Sequence, residues 1–353
     1  EEFYGNLTPG GERLADAFGF GRDDHGLEDL ILELYSKIQS HAYPEKWLEE
    51  QKEIWRSVPR NAGDTVYGAE LLRALRRKTQ HWIAVLKDHL IQMEGNEKLE
   101  NSYGVVYAQG IALLESFEGK LGEGWDAAAQ FTLELPGLKA VRNCDTPEFK
   151  EKLKSLWNRC KKEMGAACAF LSVSSEDSAA DLIASAPAME ALLDLCAAFS
   201  AAYRKEKLRR NATDFSDQEH YAISLLLNED GSRTPLASLV SQRYREVMVD
   251  EYQDTNQVQN CIFSAISREG KNLFTVGDVK QSIYRFRLAD PTIFLEKYIR
   301  YPHAEDAEEG EPRKILLSQN FRSRQSVLDA TNFVFRAIMS REMGEMDYGE
   351  EEQ

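Results

Sequence analysis

The chain has 353 residues, 42% hydrophobic and 29% charged, with a formal net charge of −16. That length predicts two or three domains with real cores, and no apolar run approaches the ~18–20 residues of a membrane span. The acidic total argues against a polyanion partner, although base gathers locally at 73–78, 204–210 and 285–287.

The first residues, Glu1-Glu2-Phe3-Tyr4, lack the basic and apolar regions of a secretion signal. Cys144, Cys160, Cys168, Cys196 and Cys261 are odd in number and never spaced Cys-x-x-Cys. This argues against a disulfide framework or a zinc site and predicts a reducing, cytoplasmic setting without a membrane.

Residues 1–26 read as loop. Leu27, Leu30, Ile31, Leu34, Tyr35 and Ile38 then form one apolar stripe at helical spacing. Pro44 suits the first turn of a second helix, to about Arg56. Helical patterns follow at 69–93, 105–117 and 147–171, with a short strand expected at 131–135. A polar hinge is expected at 172–178, and a further helix opens near Pro187. Residues 1–205 therefore read as an all-helical block without a catalytic constellation. Its histidines and tryptophans read as surface and core residues.

The pattern changes after Arg210. Apolar runs at 247–249, 273–276 and 315–317 alternate with segments long enough for crossover helices, 256–267 and 290–301. This is the signature of a parallel sheet in an α/β core. Residues 303–312 read as an acidic surface loop. A last helix carries Val327, Leu328, Thr331, Val334, Phe335 and Ile338 on one face, with Ser323 as its expected cap.

Three stretches carry chemistry. The first, residues 246–256, reads Glu-Val-Met-Val-Asp-Glu-Tyr-Gln-Asp-Thr-Asn. Ligands gather at the carboxyl ends of parallel strands. There Asp250 is placed to hold a magnesium ion through water, and Glu251 to take a proton from an attacking water. The plain alternative is an exposed acidic turn.

The second, residues 275–291, reads Thr-Val-Gly-Asp-Val-Lys-Gln-Ser-Ile-Tyr-Arg-Phe-Arg-Leu-Ala-Asp-Pro. Gln281 offers an amide that can both donate to a phosphate oxygen and accept from water. Tyr284 and Phe286 alternate with Arg285 and Arg287. In an extended segment that places both rings on one side, a platform for unstacked bases. Packing of the two rings into an interdomain core is the alternative.

The third, residues 317–324, reads Leu-Ser-Gln-Asn-Phe-Arg-Ser-Arg. Phe321 could stack on a planar ring, and the Arg322 fork suits a terminal phosphate. A helix cap with a surface arginine is the alternative.

In order and spacing these stretches resemble motifs II, III and IV of the UvrD/Rep class of superfamily 1 DNA helicases. The wording of 277–291 is similar to the A-subunit branch of the AddAB (RexAB) helicase–nucleases. Most other members of the class carry Gly where this chain has Leu288. Residues 212–217, Ala-Thr-Asp-Phe-Ser-Asp, are similar to the segment before motif II. The 22–48 region resembles the helical insertion of that branch.

The resemblance implies an α/β fold, a partial RecA-like (P-loop NTPase type) motor core with a large all-helical insertion domain. Residues 1–205 would be the insertion, 206–312 the C-terminal portion of the first core, and 313–353 the beginning of the second. It implies ATP and Mg2+ as cofactors, with Asp250 on the metal and Glu251 as general base. Gln281 would sense the γ-phosphate, Arg287 would join the nucleotide network, Phe321 would lie near the adenine and Arg322 would act as an arginine finger. Tyr284, Phe286, Arg285 and Phe215 would meet DNA. It further implies single-stranded and duplex DNA as partners, together with an AddB/RexB-type protein in a heterodimer.

The phosphate-gripping pattern Gly-x-x-x-x-Gly-Lys-Ser/Thr is absent. The expectation is therefore an internal piece of a longer ATP-driven helicase/exonuclease that processes double-strand ends for repair, inactive by itself. Two competing readings are a helicase-like scaffold without catalysis and an ATP-independent, magnesium-dependent nuclease using Asp250, Glu251 and Asp254.

Overall fold

A computed structural model describes residues 5, 7–18, 25–141, 145–282, 288–317, 319–340 and 348. Packing divides the chain into two units, residues 1–18 with 50–193, and residues 19–49 with 194–353. The longer helices are α1 (Pro9–Phe18), α2 (His25–Ile38), α3 (Pro44–Arg56), α4 (Val66–Gln92), α5 (Val105–Glu123), α6 (Pro147–Ala167) and α7 (Ser175–Arg209). Then come α8 (Phe215–Leu226), α9 (Pro235–Arg243), β1 (Val247–Val249), α10 (Gln257–Ile266), β2 (Leu273–Thr275), α11 (Thr292–Arg300) and α12 (Gln325–Ile338).

The first unit is built on α4, α5 and α6. Thr65 caps α4 by accepting the Gly68 N–H at 2.9 Å. Leu75, Thr79, Trp82, Ile83 and Leu86 then fall on its buried stripe. Trp157 of α6 lies over Gly110 of α5, where an added Cβ would come within 2.3 Å of its ring. The ring stacks on Tyr107 at 5.0 Å, and its indole N–H donates to the Pro136 carbonyl at 3.0 Å. A buried indole thus keeps its polar handle satisfied.

Residues 131–135 form no strand. Phe131, Leu133 and Leu135 instead pack against the helical core, since an extended segment without a neighbouring strand has no ladder to join.

Helix α7 corrects the expectation of a hinge at 172–178 and a start near Pro187. It begins at Ser175 and runs through Pro187. Its first turn is satisfied by Asp126, which accepts the Ser175 N–H at 2.8 Å, and by Ser174, whose hydroxyl accepts the Asp177 N–H. An interior proline costs ~3 kcal/mol. Burial of Ala179, Ala186, Leu192, Leu193 and Cys196 along the same helix outweighs it. Gly10 lies against the Pro187 carbonyl, where a Cβ would come within 2.3 Å. By length and composition alone α7 is also apolar enough to cross a membrane, a test that core helices of globular proteins pass as well.

In the second unit, β1 and β2 pair in parallel with Val247 opposite Leu273, Met248 opposite Phe274 and Val249 opposite Thr275. Helix α10 is the crossover between them, as expected. Its start is fixed by a capping box in which the Asn256 and Gln259 side chains each accept the other's backbone N–H. Val258 packs with Ala42 and Ile223, and Ala265 with Leu226 and Ala237. This holds α10 against α8 and α9. The opposite face of the strand pair, Met248 and Phe274, is exposed.

The third expected strand is not formed. Lys314 bridges His303 in parallel, but 315–317 pair with nothing among the described residues. Ser323 does not cap α12 either. Arg324 is the residue before its first turn, without a side-chain cap, and the Ser323 N–H is itself taken by Asn320.

Candidate functional site

The carboxyl end of β1 is a tight reversal. Asp250 follows Val249, and its Oδ1 accepts the Glu251 N–H at 2.9 Å. Glu251 is left-handed, φ 49° and ψ 43°, a conformation that costs an L-residue roughly 1–2 kcal/mol. The next turn, Tyr252–Asp254, is pinned to the end of β2: Tyr252 N–H donates to the Val276 carbonyl and Val276 N–H to the Val249 carbonyl, both at 2.9 Å. The Tyr252 ring is fully buried between Phe263 and Phe294. Its hydroxyl donates to Asn260 and accepts from Lys297 at 2.7 Å. Burial, reinforced by Tyr301 and Cys261, pushes the phenol up to about 12. Burial lowers the Lys297 ammonium.

This reversal places Gln253, which is 1% exposed. Its Nε2 donates to Glu251 Oε2 at 2.7 Å, and its Oε1 accepts the Asp278 N–H at 3.0 Å. The two partners fix the orientation of the amide, since a carboxylate only accepts and a backbone N–H only donates. Asp278 in turn organises the loop after β2. Its Oδ1 accepts from the Lys280 N–H and ammonium at 3.1 and 2.9 Å, and its Oδ2 from the Gln281 amide at 3.0 Å. A continuous chain of hydrogen bonds thus runs Glu251–Gln253–Asp278–Gln281. Beside it, Asp254 Oδ1 is buried without a hydrogen-bond partner. Burial first, and the Glu251 charge second, raise the Asp254 carboxyl.

Of the residues expected to act together, Asp250, Glu251 and Gln281 are brought into one loop system. Asp250 and Glu251 are exposed. Among the described residues no group of three or more acids, histidines or cysteines is close enough to hold a metal. Magnesium bound mainly through water and substrate phosphates needs only one or two carboxylates. Asp250 suits it, with Oδ1 on the Glu251 N–H and Oδ2 bonded to no described residue.

Phe321 is 91% exposed and Arg322 is exposed on a turn in which Asn320 accepts the N–H groups of Arg322 and Ser323. Neither forms a bond to Asp250, Glu251 or Gln281 among the described residues. Tyr284, Arg285, Phe286 and Arg287 lie outside the described residues. Just beyond them, Leu288 has φ +68°, a left-handed position that glycine fills without strain.

Phe215 is 86% exposed at the first position of α8. The capping box of Asp214 and Asp217 holds that end, and the Lys207 ammonium donates to both carboxylates at 2.8 and 2.7 Å.

Sequence reasoning gave no role to Gln253, Asp278 or Lys207. The Asp-x-x-Asp spacing of 214–217 was a legible cap signal. Nothing in the sequence paired Gln253 with a loop 25 residues away.

The profile of the UvrD/REP helicase N-terminal domain matches residues 36–302. Among curated proteins, the A subunit of the ATP-dependent helicase/nuclease of Acetivibrio thermocellus is 37% identical over 100% of this chain and 29% of its own length. The protein of the same name from Ruminiclostridium cellulolyticum is 34% identical over 96% of the chain and 28% of its own length. That of Moorella thermoacetica is 38% identical over 95% and 24%. The chain spans less than a third of the length of these relatives.

Proposed function

Because the chain belongs to the UvrD/REP helicase family, we propose that it is the hydrolysis-side segment of an ATP-dependent DNA helicase/nuclease that processes double-strand ends in recombinational repair. The observation that supports this best is the hydrogen-bonded chain from Glu251 through Gln253 and Asp278 to Gln281. It joins a proton acceptor to a phosphate-sensing amide across the ends of two parallel strands, where such folds place their ligands.

In this reading Glu251 accepts a proton from water as the water oxygen bonds to the γ-phosphorus. The bond to the β,γ-bridging oxygen breaks and ADP leaves. Asp250 would hold a magnesium ion, which when bound would supply charge neutralisation at the phosphates. Gln281 meets the γ-phosphate and Arg322 stabilises the charge that develops on it. Phe321 lies at the adenine and Arg287 joins the nucleotide network. Tyr284, Phe286, Arg285 and Phe215 engage single-stranded DNA. Residues 1–205 form the helical insertion that faces duplex DNA, 206–312 belong to the first RecA-like core and 313–353 to the second. A second protein of AddB/RexB type completes the assembly in the cytoplasm.

The Gly-x-x-x-x-Gly-Lys-Ser/Thr pattern is absent from these 353 residues, and in this reading the segment alone turns over no ATP. DNA-stimulated ATP hydrolysis by the full-length protein tests the reading. Glu251→Gln is expected to lower turnover by about 10²–10⁴-fold. Unchanged turnover in that variant, or turnover by residues 1–353 alone that Glu251→Gln abolishes, would count against it.

A further inference from the structure

Gln253 is buried, uncharged and out of reach of solvent, yet both ends of its amide are committed. One holds the Glu251 carboxylate at 2.7 Å and the other holds the Asp278 backbone at 3.0 Å. Resting on the ATP-hydrolysis reading above, we propose that Gln253 is a positioning residue that aims the Glu251 carboxylate and transmits to it the state of the 278–281 loop.

Three features carry this. First, Glu251 sits in a left-handed conformation. The hydrogen bond from Gln253 spans that kink and holds the carboxylate on the loop side, where an unrestrained exposed glutamate would sample several rotamers. Second, the amide oxygen packs directly against Gly277, where a Cβ would come within 2.4 Å of it and within 3.1 Å of both the Tyr252 N and a Phe294 ring carbon. The amide therefore has little room to rotate away. Third, Asp278 is not a passive endpoint. It holds Gln281 through Oδ2 while its own N–H is held by Gln253. Any shift of the turn Val279–Gln281 that moves the Asp278 backbone must move or break the bond to Gln253, and with it the restraint on Glu251. That turn leads in sequence directly into residues 283–287, which contain Tyr284 and Phe286. The relay is therefore a short, contiguous path by which a movement of the 278–281 turn reaches the Glu251 carboxylate.

The chemistry also separates the two halves of the relay. Gln253→Met keeps the volume and removes both bonds. Gln253→Glu keeps an acceptor for the Asp278 N–H but sets a second carboxylate against Glu251, which pushes it from its place.

The test is steady-state ATP hydrolysis by the full-length protein with its partner, with and without saturating single-stranded DNA. Gln253→Met, Gln253→Glu, Glu251→Gln and the double variant Glu251→Gln/Gln253→Met are compared, with thermal unfolding of each. Gln253→Met and Gln253→Glu are both expected to lower DNA-stimulated kcat by about 10–100-fold, the scale of a misplaced catalytic group, with KM for ATP within about twofold, since only an interaction in the transition state is lost. The ratio of stimulated to unstimulated turnover falls toward one. In the Glu251→Gln background the Gln253→Met change costs nothing further.

Wild-type kcat and stimulation in a folded Gln253→Glu protein would overturn the proposal, as would a pure KM effect or additive losses in the double variant. Should Gln253→Met unfold, Gln253→Glu decides alone. If Glu251→Gln itself keeps full stimulated turnover, the general-base reading fails first. If Glu251→Gln is inactive and the Gln253 variants are normal, the positioning role alone is wrong.

Discussion

The Gln253 side-chain oxygen lies where a side chain on residue 277 would have to stand: a Cβ on Gly277 would come within 2.4 Å of it. Gly277 is therefore required by a close approach rather than by a positive φ. Gly277→Ala is expected to displace the amide, cost about 1–3 kcal/mol of stability and reduce DNA-stimulated ATP hydrolysis by the full-length protein. Chemical denaturation and turnover measured on the same preparation check this. A variant with normal stability and turnover would show that the loop after β2 tolerates the methyl group, and that the amide is not held where it lies.

Lys207 is buried with two carboxylates on its ammonium, at 2.8 Å from Asp214 and 2.7 Å from Asp217. Burial opposes its charge, but the hydrogen bonds to Asp214 and Asp217 outweigh it and raise the ammonium above its ordinary value. At Asp214 burial likewise opposes the charge, and the hydrogen bond from Lys207 with its neighbours lowers the carboxyl below its usual range. The signs differ for the two groups. The lysine contribution is complete below its unfolded value and lost only as pH rises through the raised one. The aspartate contribution is complete above its unfolded value and lost as pH falls through the lowered one. The group is therefore at full strength near neutrality and fails in acid, below the ordinary carboxylate range. Lys207→Met, which strands both carboxylates, is expected to cost about 1–3 kcal/mol at pH 7, discounted from a fully buried pair because Asp214 is 37% exposed. Unfolding measured from pH 7 to pH 3 checks it. The gap between wild type and variant should narrow as Asp214 is protonated.

Phe215 stands 86% exposed on the helix end that this ion group fixes. Removing it should leave stability within about 0.5 kcal/mol. As a stacking residue it should contribute about 1–3 kcal/mol of affinity for single-stranded DNA. Titrating wild-type and Phe215→Ala protein with a labelled oligonucleotide at two salt concentrations separates the outcomes. Equal affinities would remove Phe215 from the DNA surface.

In the helical unit, Gly110 admits the Trp157 ring to within 2.3 Å of where its Cβ would stand. Gly110→Ala should force the ring out and cost about 1–3 kcal/mol. Trp157→Ala should cost about 3–5 kcal/mol. Melting temperatures of the two variants check both. A stable Gly110→Ala protein would mean that the α5–α6 packing can open without loss.

Much of the fold was legible because its signals are local. The apolar stripe at 27–38, the proline-led starts at Pro44 and Pro147 and the strand runs at 247–249 and 273–276 all needed only spacing and turn chemistry. The acidic pair after β1 and the amide at Gln281 were legible for the same reason, as residue types at a strand end. The expected strands at 131–135 and 315–317 did not form, because a strand is defined by a partner and a partner is not a local property. Helix α7 passes through Pro187 because burial along its length exceeds the local penalty.

The sequence by itself determined the chemistry on offer: Asp250 and Glu251 after an apolar run, Gln281 after the next, and the family pattern that links them. Only the tertiary structure decided how these groups are joined. The parallel pairing of β1 with β2 sets residue 253 beside residues 277 and 278, and the left-handed turn at Glu251 folds its carboxylate back onto the same amide. A hydrogen bond between residues 25 apart has no spacing signature, because the strands and crossover helix that bring them together set the distance.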